Sequence, residues 1–199
     1  MKSNIQKLIC VTNRHLCTED IFNRIEKIVK YKPKAILLRE KDLTEIEYED
    51  IAKNVLKICK KEDVPLIFHN FVDTALKLKA DAIHMTFQML RIMSSEDKEK
   101  FHEIGASCHS AEEARKAQSV GCTYVIAGHI FDTLSKKNLP PRGLDFFQEV
   151  ISNVTIPVYA IGGINKDNVN SIFKAGASAV CVMSGPMQCE NIDDYFKDW

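Results

Sequence analysis

The chain has 199 residues, of which 45% are apolar and 27% charged, and its 27 basic and 27 acidic side chains cancel to a net charge of zero. This length supports one substantial hydrophobic core but is short for two ordinary domains, so we expect a single domain over residues 1–199. The balanced charge lacks the basic footprint of a nucleic-acid-binding protein, and no stretch approaches the roughly 20 apolar residues of a membrane span. Because residues 1–6 also lack the apolar core of a signal peptide, we expect a cytoplasmic protein that acts on small molecules, without a nucleic-acid or membrane partner.

Short apolar runs alternate with amphipathic stretches along the whole chain. The runs are residues 8–11, 35–38, 65–68, 82–85, 104–108, 124–127, 157–161 and 179–183. Helical spacing of apolar residues marks 21–29, 51–59, 111–117 and 169–173, whereas 72–78 and 88–93 leave room only for short helices. Eight successive strand–helix units predict an α/β fold, a single-domain (β/α)8 TIM barrel with right-handed crossovers.

An open doubly wound sheet is the alternative architecture. Such sheets usually carry a glycine-rich turn after the first strand, where this chain has Thr12-Asn13-Arg14-His15. The barrel is therefore the preferred prediction. In a barrel the carboxyl ends of all strands face one site, so the residues that follow each strand are the functional candidates.

The second predicted strand is followed by two cations that flank a carboxylate. In an extended segment, Arg39 and Lys41 point to one side and Glu40 to the other, so the cations can face a ligand. A surface salt-bridge cluster is the alternative. Asn70 and Ser107 follow the third and fifth strands as further polar candidates for substrate binding.

Two glycine-containing strand ends indicate a phosphate site. Gly162 and Gly163 end the seventh strand, while Ser184 and Gly185 end the eighth, each before a predicted helix. Backbone amides at such positions bind phosphate, although tight turns also need glycine.

The loop after the sixth strand carries the strongest candidate for chemistry. His129 lies at the strand's carboxyl end, and an imidazole can serve as both base and acid near neutral pH. Thr133 and Lys136 follow in the same loop and can close over a bound anion. A structural hydrogen bond is the alternative role for His129.

The remaining histidines and the cysteines show no pattern of a metal site, and the histidines near strand ends stay open between a structural role and a ligand contact. His15, His69, His84 and His109 lie near strand ends without recognisable metal-ligand spacing, and His102 lies in a charged stretch that is typical of the surface. The seven cysteines form no Cys-x-x-Cys pair, so we expect reduced thiols, mostly buried. The sequence predicts neither a bound metal nor a cofactor.

Five motifs together resemble the thiamine phosphate synthase superfamily across nearly the whole chain. They are residues 38–41, Asn70 with 73–76, 105–109 with 112–114, 128–136, and 160–163 with 175–177. Within the superfamily, the Gly-His-Ile-Phe-Asp-Thr segment at 128–133 is similar to the thiazole tautomerase (TenI) branch. The two aspartates that hold magnesium in the synthases have no counterpart here, where Phe71 and the carboxylate-free segment 85–90 stand, and Leu37 replaces a glutamine.

The resemblance implies an isomerase that aromatises a dihydrothiazole carboxylate phosphate in thiamine biosynthesis. His129 would move the proton, without a cofactor, while the thiazole phosphate would contact Arg39, Lys41, Asn70, Ser107, Thr133, Lys136, Gly162, Gly163, Ser184 and Gly185. It is also compatible with a homodimer. Two other functions stay open, namely a thiamine phosphate synthase and a non-catalytic regulatory protein that binds a thiazole phosphate.

Overall fold

A computed structural model of the chain describes residues 4–197 and 199. The strands are β1 (Leu8–Val11), β2 (Ala35–Leu38), β3 (Leu66–His69), β4 (Ala82–Thr86), β5 (Glu103–Cys108), β6 (Tyr124–Gly128), β7 (Val158–Ile161) and β8 (Ala179–Val182). The α-helices are α1 (Ile21–Val29), α2 (Glu45–Lys61), α3 (Val72–Lys77), α4 (Phe87–Ile92), α5 (Ser95–Lys98), α6 (Ala111–Ser119), α7 (Gly143–Ser152), α8 (Val169–Lys174), α9 (Ser184–Gln188) and α10 (Ile192–Phe196). Short 3₁₀ turns lie at Asn4–Lys7, Arg14–Leu16 and Leu134–Lys136.

The strands follow one another in chain order around a closed barrel. Neighbours are parallel, with Ile9 opposite Ala35 on β1 and β2 and Gly105 opposite Tyr124 on β5 and β6. This topology confirms the predicted (β/α)8 barrel, and the open doubly wound sheet was the wrong alternative.

Within the chain, two compact units can be distinguished. One comprises the residues up to Asp81 and those from Val182 onward, and the other comprises Ala82–Cys181. The first unit combines both ends of the chain: the ring of Tyr31 stacks on Phe196 with centroids 4.6 Å apart. A single domain over residues 1–199 stays a prediction.

The strands form where uninterrupted apolar runs can be buried on both faces. Every residue of β1, β2, β3 and β8 is buried, as is typical of parallel sheets covered by helices. The third and seventh predicted strands start one residue late, at Leu66 and Val158. Pro65 and Pro157 have no N–H for the ladder, but their carbonyls accept from Ile36 and Val125 at 2.9 and 3.1 Å.

Side-chain caps fix where several helices begin. Thr44 and Glu47 form a capping box that starts α2 six residues before the predicted apolar stripe. Asp20 caps α1 and Ser110 caps α6 with the side-chain oxygen alone, which accepts from backbone N–H groups of the first turn. The sequence did not single out α5, α7 or α10, and the helix predicted after the eighth strand begins at Ser184 as α9. None of the helices in the described residues combines the length and the apolar character needed to cross a membrane.

Candidate functional site

A groove of about 460 Å³ opens at the carboxyl end of β6 in the second unit. Its lining residues are His109, Gly128, His129, Lys136, Leu139, Pro140, Pro141 and Arg142. Two cationic side chains and two imidazoles thus surround one concave surface. Such a surface favours a multiply charged anion. The structure therefore brings together His129 and Lys136 from the sequence candidates and adds His109 and Arg142.

The imidazole of His129 faces this groove and is held by the loop that follows. His129 is 9% exposed, and its Nε2 lies 3.2 Å from the carbonyl oxygen of Leu139. A carbonyl oxygen only accepts, so Nε2 carries a proton and donates it to this bond. Nδ1 is then the ring nitrogen that remains for other partners.

His109 borders two grooves. Its Nδ1 lies 3.1 Å from the Gly128 carbonyl oxygen, and its backbone N–H donates to the Glu113 carboxylate at 2.6 Å. A second groove of about 400 Å³ lies on its other side, between the starts of α4 and α6. The sequence left His109 undecided between a structural and a ligand-binding role, because spacing alone does not tell which groove a strand-end histidine faces.

Close packing around positions 162 and 163 requires glycine at both. Both have positive φ angles, of 104° and 65°. A Cβ on Gly162 would lie 2.3 Å from the Cβ of His129, and one on Gly163 would lie 2.4 Å from the Asp132 carbonyl oxygen. The tight-turn alternative therefore describes these residues, and their contact with phosphate stays a prediction.

The loop after β6 carries the other candidates of the second unit. Lys136 is exposed and ends the 3₁₀ turn that Thr133 caps by accepting from the Ser135 N–H at 3.4 Å. Arg142 lies at the far end of the loop, where its guanidinium carbon is 5.3 Å from the Phe146 ring centroid. Arg142 was not among the candidate residues of the sequence analysis.

Ser107 belongs to a polar cluster inside the second unit. Its hydroxyl lies 2.8 Å from Nε2 of the buried His84, whose ring stacks on Tyr124. Tyr124 in turn stacks on Tyr159, with centroids 4.8 Å apart. Burial raises the pKa of the Tyr124 phenol well above its ordinary value, so this cluster stays uncharged at that position.

In the first unit, the three residues after β2 differ in exposure as their alternation predicted. Glu40 is 2% exposed, Arg39 is half-buried and Lys41 is exposed. The Glu40 carboxylate accepts from the Arg14 guanidinium at 3.1 Å. Burial lowers the pKa of Arg39, whose backbone N–H donates to the hydroxyl of Thr12 at 2.9 Å. The salt-bridge alternative thus applies to Glu40, with a partner that the sequence did not indicate.

Arg14 also binds Asp42, and this pair was missed from the sequence. Its guanidinium donates to both carboxylate oxygens, at 2.8 and 2.5 Å, and His15 lies 2.9 Å from the same group. Hydrogen bonds from Arg14 first, and from His15 second, hold the pKa of Asp42 well below its usual range. No local pattern reveals a pair separated by 28 positions.

Three further candidates lie in the first unit. Asn70 adopts a positive φ of 66° before Phe71, whose ring stacks on Tyr48 at 4.0 Å. Ser184 is exposed at the start of α9. A Cβ on Gly185 would lie 2.5 Å from the Tyr195 ring, so this glycine also makes room for packing.

Comparison with known proteins gives a consistent set of relatives. A family model described as thiamine monophosphate synthase (TMP-TENI) matches residues 8–185. The thiamine-phosphate synthase of Clostridium acetobutylicum is 32% identical over 198 residues, which cover 98% of this chain and 93% of that protein. That of Fusobacterium nucleatum is 34% identical over 182 residues, covering 90% and 88%.

Solved structures agree with these relatives. Thiamine phosphate pyrophosphorylase from Pyrococcus furiosus superposes with a TM-score of 0.82 at 29% identity, covering 98% of this chain and 94% of that one. A 3-hexulose-6-phosphate synthase superposes with a TM-score of 0.74 at 16% identity and shows the shared fold alone.

The relatives correct one expectation. The sequence motifs favoured a thiazole tautomerase, an isomerase, whereas the curated relatives are named thiamine-phosphate synthase, a transferase. The tautomerase prediction was therefore wrong. It gave a single histidine loop more weight than the similarity of the whole chain.

Proposed function

Because the chain belongs to the thiamine monophosphate synthase family, we propose that it is a thiamine-phosphate synthase, a transferase that joins a pyrimidine pyrophosphate to a thiazole phosphate. Membership confirms the resemblance to the superfamily and leaves the branch undistinguished. The synthase is one of the two functions that the sequence left open beside the tautomerase. As a member of this family, the protein acts on small-molecule phosphates.

The proposed reaction forms one bond and breaks one. The thiazole ring nitrogen attacks the methylene carbon of the pyrimidine, so a C–N bond forms while the C–O bond to pyrophosphate breaks. The electron pair of that C–O bond leaves with the pyrophosphate, and negative charge grows on its oxygen. Cations beside this oxygen accelerate the reaction because the charge they stabilise is larger in the transition state than in the bound substrate.

The groove at the end of β6 is the observation that carries the proposal. It places Lys136 and Arg142 beside the imidazoles of His109 and His129. Charge-assisted hydrogen bonds from such groups to phosphate oxygens are roughly twice as strong as neutral ones. We assign the pyrophosphate to this groove. Ser107, Thr133, Gly162 and Gly163 are proposed substrate contacts of the second unit, and Arg39, Lys41, Asn70, Ser184 and Gly185 those of the first.

The residues do not fit the magnesium ion that synthases of this superfamily hold with two aspartates. At the first position stands Phe71, stacked on Tyr48, with neither an oxygen ligand nor a charge to offer. The second position falls within residues 85–90, which contain no carboxylate. Across residues 4–197 and 199, no group of three or more His, Cys, Asp or Glu side chains is placed to hold a metal ion. We therefore derive no step through magnesium.

The test is direct formation of product. The purified protein is incubated with the pyrimidine pyrophosphate and the thiazole phosphate, with Mg²⁺ in one series and EDTA in a second. We expect thiamine phosphate and pyrophosphate in equal amounts. If neither series turns over while the thiazole phosphate still binds in equilibrium dialysis, the protein is a binding protein and the proposal fails. The oligomeric state, predicted as compatible with a homodimer, is measured in parallel by sedimentation.

A further inference from the structure

The imidazole of His129 bonds to the loop that carries Lys136. Its Nε2 donates to the carbonyl oxygen of Leu139 at 3.2 Å. Both the neutral Nε2–H tautomer and the imidazolium donate at this nitrogen, so the bond is compatible with either charge state. The proposed transfer reaction moves no proton to or from the reacting carbon. The acid–base role predicted for His129 belongs to the tautomerase reaction.

The bond from His129 continues toward Lys136 through the backbone. The Leu139 N–H donates to the Lys136 carbonyl at 3.0 Å, and the Lys136 N–H donates to the Thr133 carbonyl at 3.0 Å. The loop is closed at its base as well, because the Arg142 N–H donates to the His129 carbonyl at 3.0 Å. The imidazole of His129 therefore adds a hydrogen bond within a loop whose two ends are already joined by a backbone hydrogen bond.

The backbone around His129 is itself held against the end of β7 and the residue that follows it. Gly162 lets the chain approach so closely that a Cβ there would lie 2.3 Å from the Cβ of His129. The Ile130 and Phe131 N–H groups donate to the carbonyls of Ile161 and Gly162, each at 3.0 Å. Residues 134–141, by contrast, are all exposed. The ring of His129 thus connects a rigid strand end to an exposed segment.

We propose that His129 is a positioning residue, whose Nε2–H clamps the loop after β6 so that Lys136 faces the pyrophosphate groove. This inference rests on the proposed synthase function. The clamp requires an N–H donor at the position of Nε2 and no transfer of a proton. A glutamine amide nitrogen reaches a comparable position, whereas phenylalanine fills the ring volume without a donor and asparagine is too short.

Kinetics of His129→Gln, His129→Phe and His129→Asn test the proposal. We expect His129→Phe and His129→Asn to lower kcat/KM for the pyrimidine pyrophosphate about 2- to 10-fold, the loss of one ordinary hydrogen bond, because a displaced Lys136 stabilises the leaving pyrophosphate less. His129→Gln should stay close to wild type. If His129→Gln loses kcat as severely as His129→Phe, the ring takes part in the chemistry and the clamp is overturned.

A second measurement does not depend on activity. Lys136 and Lys137 lie in the exposed segment, and trypsin cleaves after them when the 3₁₀ turn at Leu134–Lys136 unfolds locally, so the rate of native-state cleavage reports how firmly the loop is held. We expect faster cleavage in His129→Phe and His129→Asn, and the wild-type rate in His129→Gln. Equal cleavage rates in all four proteins would overturn the clamp, whether or not the wild type has synthase activity. A lack of synthase turnover in the wild type would refute the proposed function and leave the cleavage test of the clamp valid.

Discussion

Gly105 lies directly against the ring of Tyr124. A Cβ on Gly105 would come within 2.1 Å of the tyrosine Cζ, and the two residues are opposite each other on β5 and β6. Tyr124 is 1% exposed and is stacked on Tyr159, so its ring has no free space to enter. The missing side chain at position 105 is therefore a condition for the aromatic packing of the second unit.

We expect Gly105→Ala to destabilise the protein by about 1–3 kcal/mol or more, because the added methyl overpacks a filled core. Urea denaturation measures the free energy of unfolding. The double variant Gly105→Ala/Tyr124→Leu removes the ring that the methyl would meet. It should lose less stability than the sum of the two single variants, and strict additivity would contradict the overpacking explanation.

Tyr48→Phe should cost about 1–3 kcal/mol of stability, because it leaves buried backbone groups without their partner. The Tyr48 hydroxyl donates to the Leu38 carbonyl at 2.8 Å and accepts from the His69 N–H at 3.0 Å. Tyr31→Phe is the matched control, since that hydroxyl bonds to Asp193 at the surface. Similar losses in the two variants, compared by urea denaturation, would contradict the argument.

Asp42 should make stability depend on pH in the acidic range. Because Arg14, and secondarily His15, lower its pKa in the folded chain, the ion pair stabilises above the unfolded value of about 3.9. That contribution is lost as the pH falls from there toward the folded value. The urea midpoints of wild type and Asp42→Asn should differ slightly at pH 6 and converge below pH 4. The difference is small because the pair is exposed, and a gap that widens on acidification would have the wrong sign.

Lys136→Gln should lower kcat/KM for the pyrimidine pyrophosphate roughly 10- to 100-fold, as expected for the loss of a charged hydrogen bond worth about 1.5–3 kcal/mol. Lys137→Gln is the matched control. It removes the same charge one residue further on, where the side chain does not line the groove. Equal losses in the two variants would indicate a diffuse effect of charge and not a contact.

The thiols should react in two classes. Cys17 and Cys189 are partly exposed, whereas the other five cysteines are buried. Burial raises the pKa of Cys59 and of Cys122 to about 12, which suppresses the reactive thiolate. Under native conditions a disulfide reagent should modify at most the two partly exposed thiols, and the rest only after unfolding. Rapid modification of the Cys17→Ser/Cys189→Ser variant would contradict the burial of the others.

Much of the barrel could be predicted because its strands are continuous apolar runs. All eight runs became strands, with ends shifted by at most one residue, at two starts because Pro65 and Pro157 cannot donate to the ladder. Helix α2 was predicted too short, because its first turn is polar and its start depends on the Thr44–Glu47 capping box. Apolar periodicity predicts the buried face of a helix, whereas the capping residues determine where the helix begins.

The site was less predictable because its contacts join distant positions. Arg14 and Glu40 pair across 26 residues, and neither residue alone indicates the other. The glycines at 162 and 163 were interpreted as a phosphate site from residue type, which stays a prediction, and only the fold shows that His129 and Asp132 also exclude a Cβ there. Residue types at strand ends indicate a site, and only the fold shows which neighbours they meet.

The stacking of Tyr31 on Phe196 has a consequence for the order in which the chain folds. The two rings are far apart in the sequence but belong to one unit, whereas the second unit, Ala82–Cys181, is continuous in sequence. A contact between distant positions costs more loop-closure entropy before it stabilises the chain, so it tends to form late. During refolding, amide protection should therefore appear in the second unit before it appears in α1 and α10.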